Sequence, residues 1–174
     1  MFEPLRAIDT LNQHDVDYLV VGGWGTIQHG ATRLTQDLDI CPELSGENLQ
    51  RLGDALTALQ AQLLIAPGQT VPVPIIDGML LSRMQIGNWN TDAGGLDVLQ
   101  HIPGRDGRQF GYHKLRQHAA QITDAGRVFV VASLADITAS KRAAGRQKDL
   151  EALPELDRLL ASNPPAQDEF EPGN

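Results

Sequence analysis

Two aspartates separated by one residue, Asp37-Leu38-Asp39, follow a glycine pair, Gly22-Gly23, that closes the apolar run Tyr18-Leu19-Val20-Val21. Side chains alternate along a strand, so with Leu38 and Ile40 turned to a core both carboxylates share the other face, within reach of a common divalent ion. Hard oxygen ligands suit Mg²⁺, with Mn²⁺ as the alternative, and Mg²⁺ completes its shell with water and phosphate oxygens. Glycines have no side chain, so a turn leading into a helix can bring free N–H groups and the positive dipole end against a phosphate. Together these residues suit nucleotide transfer.

A third carboxylate stands in Leu96-Asp97-Val98-Leu99-Gln100, flanked by Gly94-Gly95. Alternation puts Leu96 and Val98 on the face opposite Asp97, and a lone carboxylate in such a run is costly to bury. Three carboxylates from neighbouring strands would converge on two ions, or on one ion and a base position. One ion then lowers the pKa of an acceptor hydroxyl while the other clamps a triphosphate. Asp97 can also take the proton itself. An exposed edge charge that blocks aggregation is the plainer reading of any single one, but three on one predicted face outweigh it.

Arg33 and Thr35 share the alternation of Asp37 and Asp39 if the strand begins early, which makes both candidate phosphate-binding residues and aims the Arg33 guanidinium at the triphosphate or pairs it with Asp37. Lys141 lies four residues after Ile137 and seven after Leu134, so it points toward the sheet, either to bind phosphate or to run its stem along apolar surface. Arg142, Arg146 and Lys148 could guide an RNA or complement a helix C-terminus. Asp149 pairs with Lys148 or Arg146. The five histidines show no metal-ligand spacing, though His101 shares the alternation of Asp97.

The elements that must position these residues read as mixed α/β. Leu5, Ile8 and Leu11 recur at helical spacing, a strand covers 16–21, and a short helix runs from Gly23 to about His29 with Gly30 as a left-handed cap. An extended segment spans 32–41. Ser45 caps a helix whose stripe is Leu49, Leu52, Leu56, Leu59 and Leu63. Residues 66–75, rich in proline, read as a loop, and 81–90 and 95–102 as two strands joined by Thr91-Asp92-Ala93-Gly94. A strand over 128–131 follows the turn Asp124-Ala125-Gly126. Ser133 with Asp136 forms a capping box for a helix ending at Gly145, and a last helix follows in which Pro154 opens a new turn. The residues from 162 on read as a disordered acidic tail, leaving 1–161 as one domain.

Composition narrows the class. At 174 residues and 18.9 kDa the chain can bury a real core. A net charge of -8 argues against broad, sequence-independent nucleic-acid binding. The single cysteine, Cys41, forms no internal disulfide, no signal-peptide pattern opens the chain, and no apolar run approaches the roughly 20 residues of a membrane span. A cytoplasmic protein is expected.

The string Val20-Val21-Gly22-Gly23-Trp24-Gly25, then His29-Gly30, Arg33, Thr35 and Asp37-Leu38-Asp39-Ile40, resembles the first motif of the polymerase-β-like nucleotidyltransferase superfamily: a glycine pair, a spacer, then Asp-x-Asp. Asp97 resembles its third carboxylate. Val131 to Ile137, Ser140 to Arg146 and Lys148-Asp149-Leu150 resemble the C-terminal signature of small bacterial nucleotidyltransferases related to AbiEii and MenT type toxins. The resemblance implies an α/β nucleotidyltransferase fold: a small mixed sheet with the carboxylates at one edge, helices packed on one face and a C-terminal helical segment. It also implies Mg²⁺-dependent transfer of a nucleoside monophosphate from an NTP such as ATP to a hydroxyl acceptor. In the toxin branch that acceptor is the tRNA 3′ end, and a cognate antitoxin protein would be a partner.

On this resemblance Asp37 and Asp39 hold the metals, Asp97 acts as ligand or base, Gly22 and Gly23 hold phosphates, and Lys141 steadies the triphosphate. Trp24 stands where many relatives carry serine, so phosphate binding leans on backbone N–H groups. Two other readings stay open. One is transfer to a small molecule, such as an aminoglycoside or lincosamide, or to a protein hydroxyl. The other is a non-catalytic nucleotide-binding or antitoxin-like module.

Overall fold

The computed structural model describes residues 1–104 and 107–162. In chain order its elements are α1 (Pro4–Gln13), β1 (Tyr18–Val21), α2 (Gly22–Gln28), β2 (Asp37–Pro42), α3 (Gly46–Ala58), β3 (Gln62–Ala66), β4 (Gln69–Pro72), α4 (Gly78–Ser82), β5 (Ile86–Thr91) and β6 (Gly94–Leu99). They continue with β7 (Ile102–Pro103), β8 (Gln109–Phe110), α5 (Tyr112–Arg116), β9 (Ala120–Asp124), β10 (Arg127–Val131), α6 (Leu134–Ala144) and α7 (Gln147–Ser162). Eight strands form one mixed sheet in the order β4-β3-β5-β6-β2-β1-β10-β9, and β7 pairs with β8 apart from it.

All four residues of β1 are buried, as expected of a strand covered on both faces. It runs antiparallel to β2 and parallel to β10, while β2 runs parallel to β6. The carboxylate strands β2 and β6 are thus the two central strands, not an edge. Leu38 and Ile40 are fully buried in one apolar core with Ile8 and Leu11 of α1 and Leu52 and Leu56 of α3. That burial anchors β2 and turns Asp37 and Asp39 to the other side.

The caps follow their sequence signals. Ser45 accepts the N–H of Asn48, Ser133 accepts the N–H of Asp136, and Gly145 ends α6 in the left-handed region at φ +62°. Pro154 lies inside a continuous α7 instead of opening a new turn. Ser162 closes that helix; the rest of the expected tail lies outside the described residues.

Four local expectations are corrected. The extended segment before Asp37 is not strand: β2 starts at Asp37 itself. Leu63 belongs to β3, not to the stripe of α3, because α3 ends at Ala58. The proline-rich stretch contains β4, an edge strand whose last residue is Pro72, where a missing N–H is tolerated. Leu81 lies in α4, capped by Asp77, and the strand starts only at Ile86. No described helix is long and apolar enough to cross a membrane.

Candidate active site

The site is built where β1 ends. Val21 is extended, and Gly22 turns the chain into α2 at φ +61°, in the left-handed region. A β-carbon on Gly22 would overlap the Asp39 carboxylate, so both conformation and space require glycine here. The Gly23 N–H donates to Asp39 Oδ2 at 3.3 Å. The glycine pair therefore lets a carboxylate lie against the start of α2 and gives it a hydrogen bond.

Register fixes the carboxylates. Asp39 and Asp97 are direct partners across parallel strands β2 and β6, and Asp37 pairs with Gly95. All three side chains share one face and are half-buried. Thr35 Oγ1 donates to Asp37 Oδ1 at 2.5 Å, so Thr35 orients that carboxylate.

Burial lifts the Asp39 pKa to about 7, helped by the charges of Asp37 and Asp97 and opposed by the Gly23 N–H and Lys141. Burial also raises Asp97, against the Asn88 side chain opposite it and with further pressure from Asp37; Lys148 and Arg146 act the other way. The like charges nearby add to the cost of ionising Asp39, a cost that a bound cation would relieve.

A cleft of about 370 Å³ opens over this cluster, within the range of ligand pockets. Gly22, Gly23, Arg33, Thr35, Asp37, Asp39, Asp97 and Lys141, all picked out by sequence, line it. His101 does too.

The cations are engaged. Lys141 Nζ lies 3.3 Å from Asp149 Oδ1, and Arg146 Nε donates to Asp149 Oδ2 at 2.6 Å, around a carboxylate with no exposed surface. Arg33 pairs at 2.7 Å with Glu151 of α7, not with Asp37. The reason is that Arg33 precedes β2, so strand alternation does not govern its direction. Arg142 pairs with Asp157 and does not line the cleft. Lys148 lines the cleft with no ion-pair partner among the described residues.

Asp149 was expected to pair with Lys148 or Arg146; it pairs with Arg146 and also with Lys141, a contact not foreseen, and Asn88 was passed over. The i,i+3 spacing of Arg146 and Asp149, with Lys141 on the inner stripe of α6, was the available signal for Asp149. Asn88 gave none before its register with Asp97 was known.

The all-oxygen donor set, half-buried and with Arg33, Lys141 and Arg146 of the cleft paired to Glu151 or Asp149, fits Mg²⁺ or Mn²⁺. Among the described residues no three His, Cys, Asp or Glu side chains close into a ready metal cage.

No protein-family model matches the chain, and no curated protein matches it. Solved structures do. The lincosamide antibiotic adenylyltransferase LnuA, with lincomycin bound, superposes with a TM-score of 0.60 at 14% identity, over 89% of this chain and 94% of that one. The antibiotic-resistance factor ANT(2'')-Ia gives 0.56 at 13%, over 91% and 88%. A nucleotidyltransferase candidate from Thermotoga maritima gives 0.51 at 14%, over 93% and 96%. At such identities the likeness establishes the fold, which is that of nucleotidyltransferases.

Proposed function

We propose that this protein is a nucleotidyltransferase that moves a nucleoside monophosphate from an NTP to a hydroxyl. The observation that carries this reading is the pairing of Asp39 with Asp97 across β2 and β6, beside Asp37 and under a wall of cations from α6 and α7. In this reading Asp37 and Asp39 hold Mg²⁺ or Mn²⁺, with Asp97 as a further ligand or the base. The ion would neutralise triphosphate charge and promote loss of pyrophosphate.

The chain's own residues do the rest. Asp97 accepts the acceptor's proton, directly or through water, as the hydroxyl oxygen bonds to the α-phosphorus and the α–β bridging bond breaks. Thr35 fixes Asp37. Lys148, together with Lys141 and Arg146 exchanging part of their hold on Asp149, counters the charge of the leaving pyrophosphate. Gly22 and Gly23 let the phosphates come close to backbone.

For the acceptor, the segment Val131 to Leu150 supports the toxin branch, with the tRNA 3′ end as acceptor and an antitoxin as partner. The antibiotic-modifying enzymes that share the fold support a small molecule. The test is incubation with each α-labelled NTP, Mg²⁺ and either total tRNA or small hydroxyl compounds, comparing wild type with Asp39→Ala. Label on an acceptor that disappears in the variant supports transfer. Label on none, with no pyrophosphate released, contradicts it.

A further inference from the structure

The cleft is polarised. Its four lining cations, Arg33, Lys141, Arg146 and Lys148, all come from the segment before β2 or from α6, α7 and their junction. The opposite half of the sheet, β3, β4, β5 and β6, carries no lysine or arginine.

Register shows what that half presents instead. Asn88 stands opposite Asp97, Ile86 opposite Leu99, and Asn90 opposite Gly95, so Asn88, Ile86 and Asn90 share the carboxylates' face. Gln62 of β3 pairs with Asn90, and Leu64 with Thr70 of β4, which carries the same face outward. Thr70 Oγ1 donates to Gln62 Oε1 at 2.7 Å. Gln62, Ile86 and Asn90 are exposed, Ile86 at 60%, while the reverse face carries the buried Trp89 and Leu96. From β6 to β4 is three strand spacings, and Ile86 to Asn90 is four residue steps. The shelf is therefore about 14 Å by 13 Å, the size of a two- or three-ring compound.

We propose that this shelf seats the acceptor, and that the acceptor is a polyhydroxylated small molecule without negative charge. The proposal rests on nucleotidyl transfer at Asp37, Asp39 and Asp97, and names the substrate class for it. Amide side chains donate and accept, as hydroxyls do. The pad formed by Ile86 and Leu99, next to Asp97, takes the C–H face of a ring whose hydroxyl then reaches Asp97. An RNA end would lay phosphates on strands that carry no lysine or arginine of their own, in a chain of net charge -8.

The test is a transfer assay with lactose, tobramycin, lincomycin and total tRNA as acceptors, using wild type, Ile86→Glu and Asn90→Lys. Label should pass to at least one of the three small compounds. Both variants should raise that compound's KM about tenfold, with the KM for NTP within twofold. Both positions are exposed, and a thermal midpoint near that of wild type confirms folding. Label on tRNA or protein alone, improved by Asn90→Lys, overturns the proposal and leaves nucleotidyl transfer standing. A dimer in solution that Ile86→Glu or Asn90→Lys dissociates would make the shelf an interface between copies and also overturn it. Absence of pyrophosphate release with every acceptor overturns the underlying activity and this proposal with it.

Discussion

Lys141 and Asp149 form an ion pair, Nζ to Oδ1 at 3.3 Å, in which the carboxylate has no exposed surface and is held from its other side by Arg146. This pair ties α6 to α7 over the cleft. It also keeps a cation in the cleft that holds the Asp37, Asp39 and Asp97 cluster.

Removing the shared partner should therefore cost stability as well as activity. Asp149→Ala leaves Lys141, only 16% exposed, without its counter-charge, an expected loss of about 2–3 kcal/mol. Urea unfolding of the variant checks this. Arg142→Ala, which breaks an exposed pair with Asp157, should cost about 0.5 kcal/mol or less.

The Asp39 pKa of about 7 makes a prediction about pH. Its folded value lies above the ordinary 3.8, so the stability it contributes is fully present below about pH 4 and is lost as pH rises through 7. Metal-free protein should thus lose on the order of 1–3 kcal/mol between pH 5 and pH 8 through this group. Asp39→Asn should flatten that part of the profile and be more stable than wild type at pH 8. Thermal melts across the range, with and without Mg²⁺, measure both, and added Mg²⁺ should raise the wild-type midpoint more at pH 8 than at pH 6.

Gly22→Ala meets the Asp39 carboxylate and a left-handed backbone together. It should lose about 2 kcal/mol or more and displace Asp39 from Asp97. Gly46→Ala, with open space around its added carbon, should fold like wild type. Chemical denaturation of the two side by side separates the site's demand for glycine from a general cost of the substitution.

Legibility followed the range of the interactions. Asp37, Asp39 and Asp97 were readable because a charge inside an apolar period-two run declares its face, and Ser45, Ser133 and Gly145 because caps act over three or four residues. The strands β4 and β9 were not: they are short and carry many exposed positions, so they show no clean alternation. Arg33 was placed near the cleft but not with Glu151, 118 residues away, because no local spacing encodes that contact. Thr35 was read as a phosphate contact, and its hydroxyl donates to Asp37 instead, since it lies ahead of β2 and outside the strand's alternation. The central position of β2 and β6 depended on β1 joining β10, a long-range pairing with no local signature.

The most direct measurement is pyrophosphate release matched to transfer of α-label from NTP in the presence of Mg²⁺, for wild type, Asp37→Asn, Asp39→Asn and Asp97→Asn. The account predicts equal amounts of pyrophosphate and labelled product for wild type, and a loss of at least about a hundredfold in each variant, the scale of a removed acid–base group. Variants that transfer label as fast as wild type, or a folded wild type that releases no pyrophosphate with any NTP, would contradict it.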